Sequence, residues 1–251
     1  MIGKSDLARW KYQAIGMFSK QPLPLVQCIT YPRSGHHLLL NLLLQYYSGD
    51  TNFPRTNGST VSEVCKQHII AGELRYCEYH IHCGQVGCID PRANFQKNHD
   101  FDLTVPISQK FRYLIQFRSP LYSLTSYFNM FHQGKPKKAW EGFARLKLDY
   151  WKGFVDKWVL SDISAERMIL DYDHLVTDPH QALTQVVSFM NPEGSTNDAL
   201  ISQILEGYSV RPSKALNDFI HYDEKFFAQL QEEVAPYLQK ISAAIARHEI
   251  Q

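Results

Sequence analysis

The chain contains no run of about 18 uncharged apolar residues that could cross a bilayer, and Met1-Ile2-Gly3-Lys4-Ser5-Asp6 lacks the long apolar core of a signal peptide. A soluble, cytoplasmic protein with no membrane partner is expected. Excess charge is missing too, since 26 Lys and Arg oppose 25 Asp and Glu. No overall field therefore recruits nucleic acid, and any anion site must be local. Disulfide pairing is not indicated: five cysteines, an odd number, suit free thiols in a reducing compartment. Repeats and low-complexity tracts are absent. The 251 residues suffice for one large α/β domain with a sizeable core, and a single domain over residues 1–251 is the expected organisation. A Walker A loop, Gly-x4-Gly-Lys-Ser/Thr, is also absent, which counts against the usual magnesium-nucleotide grip.

What is present is a strand, a polar turn and a helix in immediate succession. Val26 to Ile29 is short, apolar and partly β-branched, as a buried parallel strand requires, and His36 to Tyr47 is Leu-rich and long enough for a buried helix. Between them lies Thr30-Tyr31-Pro32-Arg33-Ser34-Gly35. A turn at a helix N-terminus offers unpaired amides and the positive end of the macrodipole to an anion, and Arg33 adds a forked cation. A bound phosphate or sulfate follows from the residues alone. Upstream, a helix is expected from Ser5 to Ser19, broken by Gln21-Pro22-Leu23-Pro24.

A second unit of the same form follows. Arg112 to Phe117 reads as a strand, Arg118-Ser119-Pro120 as its turn, and a helix then runs to about His132. Lys138 to Leu160 has helical spacing of Trp140, Trp151 and Trp158, which mark core. Met168 to Tyr172 reads as another buried strand, and Thr177-Asp178-Pro179 caps a helix reaching Met190. Strands alternating with helices predict a three-layer α/β sandwich around a central, mostly parallel sheet. Val61 to Asp90 gives no clear pattern.

The Tyr31-Pro32-Arg33-Ser34-Gly35 turn resembles the 5′-phosphosulfate loop of sulfotransferases that use 3′-phosphoadenosine 5′-phosphosulfate (PAPS) as donor, releasing 3′,5′-ADP. Arg118 with Pro120, and Ser126 eight residues beyond Arg118, is similar to that family's 3′-phosphate signature. Lys97-Asn98-His99 resembles its Lys-Thr-His segment, and Ile169 to Leu175 with Asp178-Pro179 resembles its Tyr-Glu-Asp-Leu…Asp-Pro stretch. Arg211 with Asn217-Asp218-Phe219 is a partial likeness of its C-terminal loop. The likeness runs from about Val26 to about Phe227. It implies a P-loop-like fold, PAPS as donor without a metal, and transfer to a hydroxyl of a small-molecule or carbohydrate acceptor. His99 would be the general base, with Lys97 and Arg33 stabilising charge. Ser34, Gly35, His36 and His37 would cradle the 5′-phosphate, Arg118, Ser126 and Arg211 the 3′-phosphate, and Tyr172 the adenine. Leu38 stands where relatives carry an adenine-stacking Trp, so the adenine grip must differ.

Two readings from other classes compete. A kinase using ATP would share the architecture, and a non-catalytic protein binding 3′-phosphonucleotides would share both phosphate sites. Cys77, His80, His82, Cys83 and Cys88 contain zinc-ligand residue types, but no Cys-x2-Cys pair occurs among them. Structural cysteines and a pocket histidine are the expected roles. Lys135, Lys137 and Lys138 read as a solvated loop. Either a monomer or a homodimer fits the sequence.

Overall fold

The computed structural model describes residues 23–53, 68–77, 92–132, 134–208 and 214–248. The first strand, β1 (Val26–Thr30), is buried throughout and feeds helix α1 (His36–Ser48). A hairpin follows, β2 (His68–Ala71) and β3 (Leu74–Cys77), and then β4 (Phe95–Asn98). Strand β5 (Arg112–Phe117) leads into α2 (Pro120–Phe131), with Pro at the first turn, where its missing N–H costs nothing. Helix α3 (Lys137–Val155) passes directly into a π-helical turn, Asp156–Leu160. After β6 (Arg167–Asp171) come α4 (Tyr172–Thr177), α5 (Pro179–Met190), α6 (Asp198–Glu206), a 3₁₀ turn (Leu216–Asp218) and α7 (Glu224–His248).

Six strands form one sheet in the order β2-β3-β4-β1-β5-β6. Among the described strands, only the β2–β3 pairing is antiparallel. Along β1 and β5 alternate residues face opposite layers, as the two-residue period of a strand demands. Ile29, Tyr31, Tyr113, Ile115 and Phe117 join a core with α2, α3 and α7, whereas Val26, Cys28 and Leu114 join one with α1, α5 and α6. Both faces are covered, which is why β1 and β5 are apolar on both sides. The result is the three-layer α/β sandwich expected from the alternating pattern.

Register and connectivity fix where a site can form. Thr30 lies opposite Gln116, Ile29 opposite Asn98, and Phe117 opposite Asp171. The carboxyl ends of four parallel strands therefore meet at one edge, and the next residues are Tyr31, His99, Arg118 and Tyr172. Helix α1 leaves β1 toward one face and α2 leaves β5 toward the other, so a crevice opens between them. In open α/β sheets that switch point is where ligands bind.

The structure departs from the sequence reading in three places. The strand expected to end on Tyr172 stops at Asp171, because the Asp171 carboxylate accepts from the Asp173 amide and caps a helix that Tyr172 begins. The helix expected to continue to Leu160 loses α geometry after Val155. Strand β4 was not anticipated, since Gln96, Lys97 and Asn98 break any apolar pattern; Gln96 Nε2 donates to Ala93 O, and Asn98 Oδ1 accepts from Asp100 N. The expected N-terminal helix, Ser5 to Ser19, lies outside the described residues. Among those described, no helix is long and apolar enough to cross a membrane.

Candidate functional site

The turn after β1 is built on two unusual backbone positions. Arg33 (φ 67°) and Gly35 (φ 86°) are both left-handed. Gly35 is required, because a Cβ there would lie 2.3 Å from Tyr172 Cδ2. The Leu38 and Leu39 amides both return to Gly35 O, so regular hydrogen bonding starts at Gly35 and the amides at this end lead toward the crevice. Ser34 closes the turn instead of facing outward: its hydroxyl donates to Tyr31 O (2.6 Å) and Gln116 O (3.2 Å), and its amide to Tyr31 O.

One cavity of about 380 Å³ collects the expected residues. Its walls include Arg33, Gly35, His36, His37, Leu38, Lys97, His99, Arg118, Ser126 and Tyr172, which come from all four strand ends. Ser34 is buried behind this wall, and Arg211 lies outside the described residues, as do His80, His82, Cys83 and Cys88. Cys77 is a buried thiol in β3. Lys135, Lys137 and Lys138 are all exposed, but only Lys135 is in a loop: Lys137 and Lys138 begin α3, and Lys137 pairs with Asp223 at 2.7 Å.

Three cations surround the crevice. Arg33 spans it: Nε donates to Ser126 Oγ (3.0 Å) and Nη1 to Met130 Sδ (3.2 Å), so the turn after β1 is tied to α2. Arg118 is largely buried, with its guanidinium over the rings of Tyr172 (4.2 Å) and Tyr122 (5.2 Å). Burial pushes the Arg118 pKa down from its ordinary value, while Tyr172 and Asp173 oppose the shift. Lys97 is half-buried on β4. Tyr172 thus lies between the Gly35 turn and the Arg118 cation, and one ring is held against both.

His99 follows β4 and has a defined tautomer. Its Nδ1 is 2.7 Å from Thr30 O, which can only accept, and 3.0 Å from Thr30 Oγ1, so the shorter contact puts hydrogen on Nδ1 and, in a neutral ring, leaves the lone pair on Nε2. The Tyr150 hydroxyl donates to His99 O at 2.6 Å. His36, by contrast, is buried: Nε2 lies 2.8 Å from Tyr76 Oη and Nδ1 3.6 Å from Cys28 Sγ. Burial first, then the charges of Lys97, His99 and His37, hold its pKa well below the ordinary histidine value. Its backbone serves the turn while its ring packs the core.

The sequence reading missed the residues that hold these segments in place. Asp100 is buried next to His99, where Oδ1 accepts from Val105 N (2.8 Å) and Oδ2 from Lys157 Nζ (2.7 Å) and Trp158 Nε1 (2.8 Å). Lys157 Nζ also reaches Leu103 O and Val105 O, which uses its three donors. Trp151 Nε1 donates to Arg118 O, and Tyr31 Oη donates to Lys147 O. Helix α3 and its π-helical turn therefore pin the ends of β1, β4 and β5 together. Lys157 carries a sequence signal only as a charge within the largely apolar run from Phe154 to Leu160, and Asp100, in a polar stretch, carries none.

No family model matches the chain, and no curated protein matches it. The site is thus defined by its fold and geometry: a cationic crevice at a strand switch point, with one oriented histidine.

Proposed function

We propose that this protein is a sulfotransferase, moving the sulfuryl group of PAPS to a hydroxyl of a small-molecule or carbohydrate acceptor. The observation that carries this reading is convergence: Arg33 and Gly35, Lys97 and His99, Arg118 and Ser126, and Tyr172 come from four separate segments yet line one cavity. The residues fit the donor. A left-handed glycine at a helix N-terminus suits a 5′-phosphate, and a largely buried guanidinium next to an aromatic ring suits a second phosphate beside a base. When bound, the donor supplies an activated sulfuryl group and a phosphate leaving group.

The chain's residues then have separable tasks. His99 Nε2 takes the proton of the acceptor hydroxyl as its oxygen bonds to sulfur, while Nδ1 stays bound to Thr30 O and fixes the ring. The sulfur–oxygen bond to phosphate breaks with its electron pair going to the phosphate oxygen, where Arg33, Lys97 and the Gly35 turn offset the charge. Arg33 is a charge stabiliser, because its high pKa makes it a poor proton donor. Ser126 already accepts from Arg33, so a 3′-phosphate reaching Ser126 must share or replace that bond.

Thermal stabilisation by 3′,5′-ADP, ADP and ATP is the first test. Stabilisation by 3′,5′-ADP well above that by ADP supports the reading, and stabilisation by ATP alone sinks it in favour of a kinase. Labelled PAPS turnover comes second: His99→Ala should keep 3′,5′-ADP binding and lose about 10²–10⁴-fold in rate. Binding without turnover by the wild type on a broad acceptor panel would leave the non-catalytic nucleotide-binding reading standing.

A further inference from the structure

Arg33 is held by two neutral acceptors on one face of α2. Its Nε donates to Ser126 Oγ and its Nη1 to Met130 Sδ at 3.2 Å, and residues four apart on a helix share a face. Neither partner carries charge, and a thioether is a weak acceptor. Among the described residues lining the cavity there is no Asp or Glu. The guanidinium is therefore docked loosely, where an arriving anion can draw it away. Met130 is also open to solvent. It is 56% exposed, whereas Met190 is 1% exposed and Met168 packs against the core that α1, α5 and α6 share; Met1 and Met17 lie outside the described residues.

Resting on the sulfotransferase reading, we propose that Met130 is an oxidation site for hydrogen peroxide or an alkyl hydroperoxide, and that its sulfoxide holds Arg33 away from the donor. One sulfur lone pair faces Arg33, and the other remains for the peroxide. It attacks the terminal peroxide oxygen and forms the S–O bond, while the O–O bond breaks with its electron pair going to the departing oxygen. That oxygen takes the proton of the attacked oxygen and leaves as water or alcohol. Sulfur loses two electrons and the peroxide gains them. The step changes the acceptor that Arg33 meets. The sulfur is already within reach of Nη1, and the methionine side chain is flexible enough to turn its new oxygen to the guanidinium. A charge-assisted hydrogen bond then replaces a weak thioether contact. A ligand phosphate must break that bond before it can use Arg33, so the binding-competent fraction falls and the apparent affinity falls with it. Reduction of the sulfoxide reverses the change.

The test is calorimetric binding of 3′,5′-ADP to the full chain before and after mild hydrogen peroxide, with dithiothreitol added afterwards to return oxidised cysteines to thiols. Peptide mass spectrometry should find one added oxygen on the peptide carrying Met130 before those carrying Met168 and Met190. Binding should weaken about tenfold, the worth of one charge-assisted hydrogen bond, and a methionine sulfoxide reductase should restore it. Met130→Leu should bind equally before and after peroxide. Met130→Gln, whose carboxamide oxygen accepts from Arg33 as the sulfoxide does, should bind about tenfold more weakly than Met130→Leu. A loss below about threefold once Met130 is fully oxidised overturns the proposal, and so does tighter binding. A loss that persists in Met130→Leu overturns it too, as does equal binding by the Leu and Gln variants. A wild type that ignores 3′,5′-ADP before any oxidation refutes the sulfotransferase reading and this proposal with it, whereas one that binds the nucleotide and is indifferent to the sulfoxide refutes the proposal alone.

Discussion

Asp100 should be one of the most costly side chains in the molecule to remove, although it touches no part of the cavity. Its carboxylate has no exposed surface and takes three hydrogen bonds, from Val105 N, Lys157 Nζ and Trp158 Nε1. Asp100→Ala leaves a buried indole N–H and a backbone N–H without an acceptor, at about 1–3 kcal/mol each. Breaking a buried ion pair costs about 3–5 kcal/mol by itself, but Lys157 keeps Leu103 O and Val105 O and is 21% exposed, so its share lies at the low end. The left-handed backbone of Asp100 (φ 46°) adds strain for Ala that Asn avoids. The low ends add to about 5 kcal/mol for Asp100→Ala and about 3 kcal/mol for Asp100→Asn, which keeps the shape and loses the charge. Against a typical 5–15 kcal/mol, the alanine variant is folded but marginal. Urea unfolding followed by tryptophan fluorescence measures it, with Trp158 as a local reporter. A double cycle with Lys157→Met should show coupling above about 1 kcal/mol. A loss below about 1 kcal/mol for Asp100→Ala, or strict additivity in the cycle, refutes the claim that this knot holds the end of β4.

Two further outcomes follow from the turn and from α1. Gly35→Ala places a Cβ against Tyr172 in a left-handed conformation, so it should destabilise by about 2 kcal/mol or more and weaken binding of 3′,5′-ADP; adding Tyr172→Ala should return part of the stability in urea titrations, and a fully additive pair would show that the rings do not meet. His36 has a folded-state pKa below its unfolded one, so the unfolded chain binds the proton first as pH falls, and the stability is complete above about pH 6.5 and lost below it, with a limiting slope of about 1.4 kcal/mol per pH unit. Asp171 acts in the opposite sense, since burial pushes its carboxyl up to about 6 and the folded state gains stability as pH falls from there toward its unfolded pKa. Comparing His36→Gln with wild type cancels Asp171: the variant should be less stable at pH 7.5 and lose that deficit toward pH 5. A deficit constant from pH 8 to 5 would contradict the buried neutral imidazole.

Much of the fold was legible wherever an apolar run ended in a turn that carries charge. The β1–α1 and β5–α2 units were readable because each strand is buried on both faces and each helix starts at a chemically marked position, Gly35 or Pro120. The hairpin β2–β3 was not, since its strands have four residues each and its turn depends on Gly72 (φ 54°), with too few alternations to show a period. Strand β4 was hidden for a different reason. Its buried Gln96 and Asn98 are satisfied by local hydrogen bonds, which hydropathy does not register. Many of the residues lining the cavity were named through the resemblance of short motifs, yet that resemblance did not reveal that Ser34 faces inward and that Ser126 is joined to Arg33.

The helix that periodicity marked as core is what makes the site precise. Helical spacing places Trp151 and Trp158 inward, but it says nothing about where their indole N–H groups go, and both go to site segments, at Arg118 O and Asp100 Oδ2. A regular α-helix from Lys137 to Leu160 would turn Lys157 and Trp158 differently. The π-helical turn widens the path by one residue per hydrogen bond, and it is this segment that presents both side chains to Asp100. A catalytic group must be held to about 0.5 Å by neighbours whose own positions are fixed. His99 meets that requirement through three independent restraints: its ring on Thr30, its carbonyl on Tyr150, and the next residue locked to Lys157 and Trp158. Two of the three originate on α3 and its π-helical turn. In this protein, then, burying tryptophans and orienting the proposed base are one structural act, and a substitution that relaxes the π-helical turn should disturb both together.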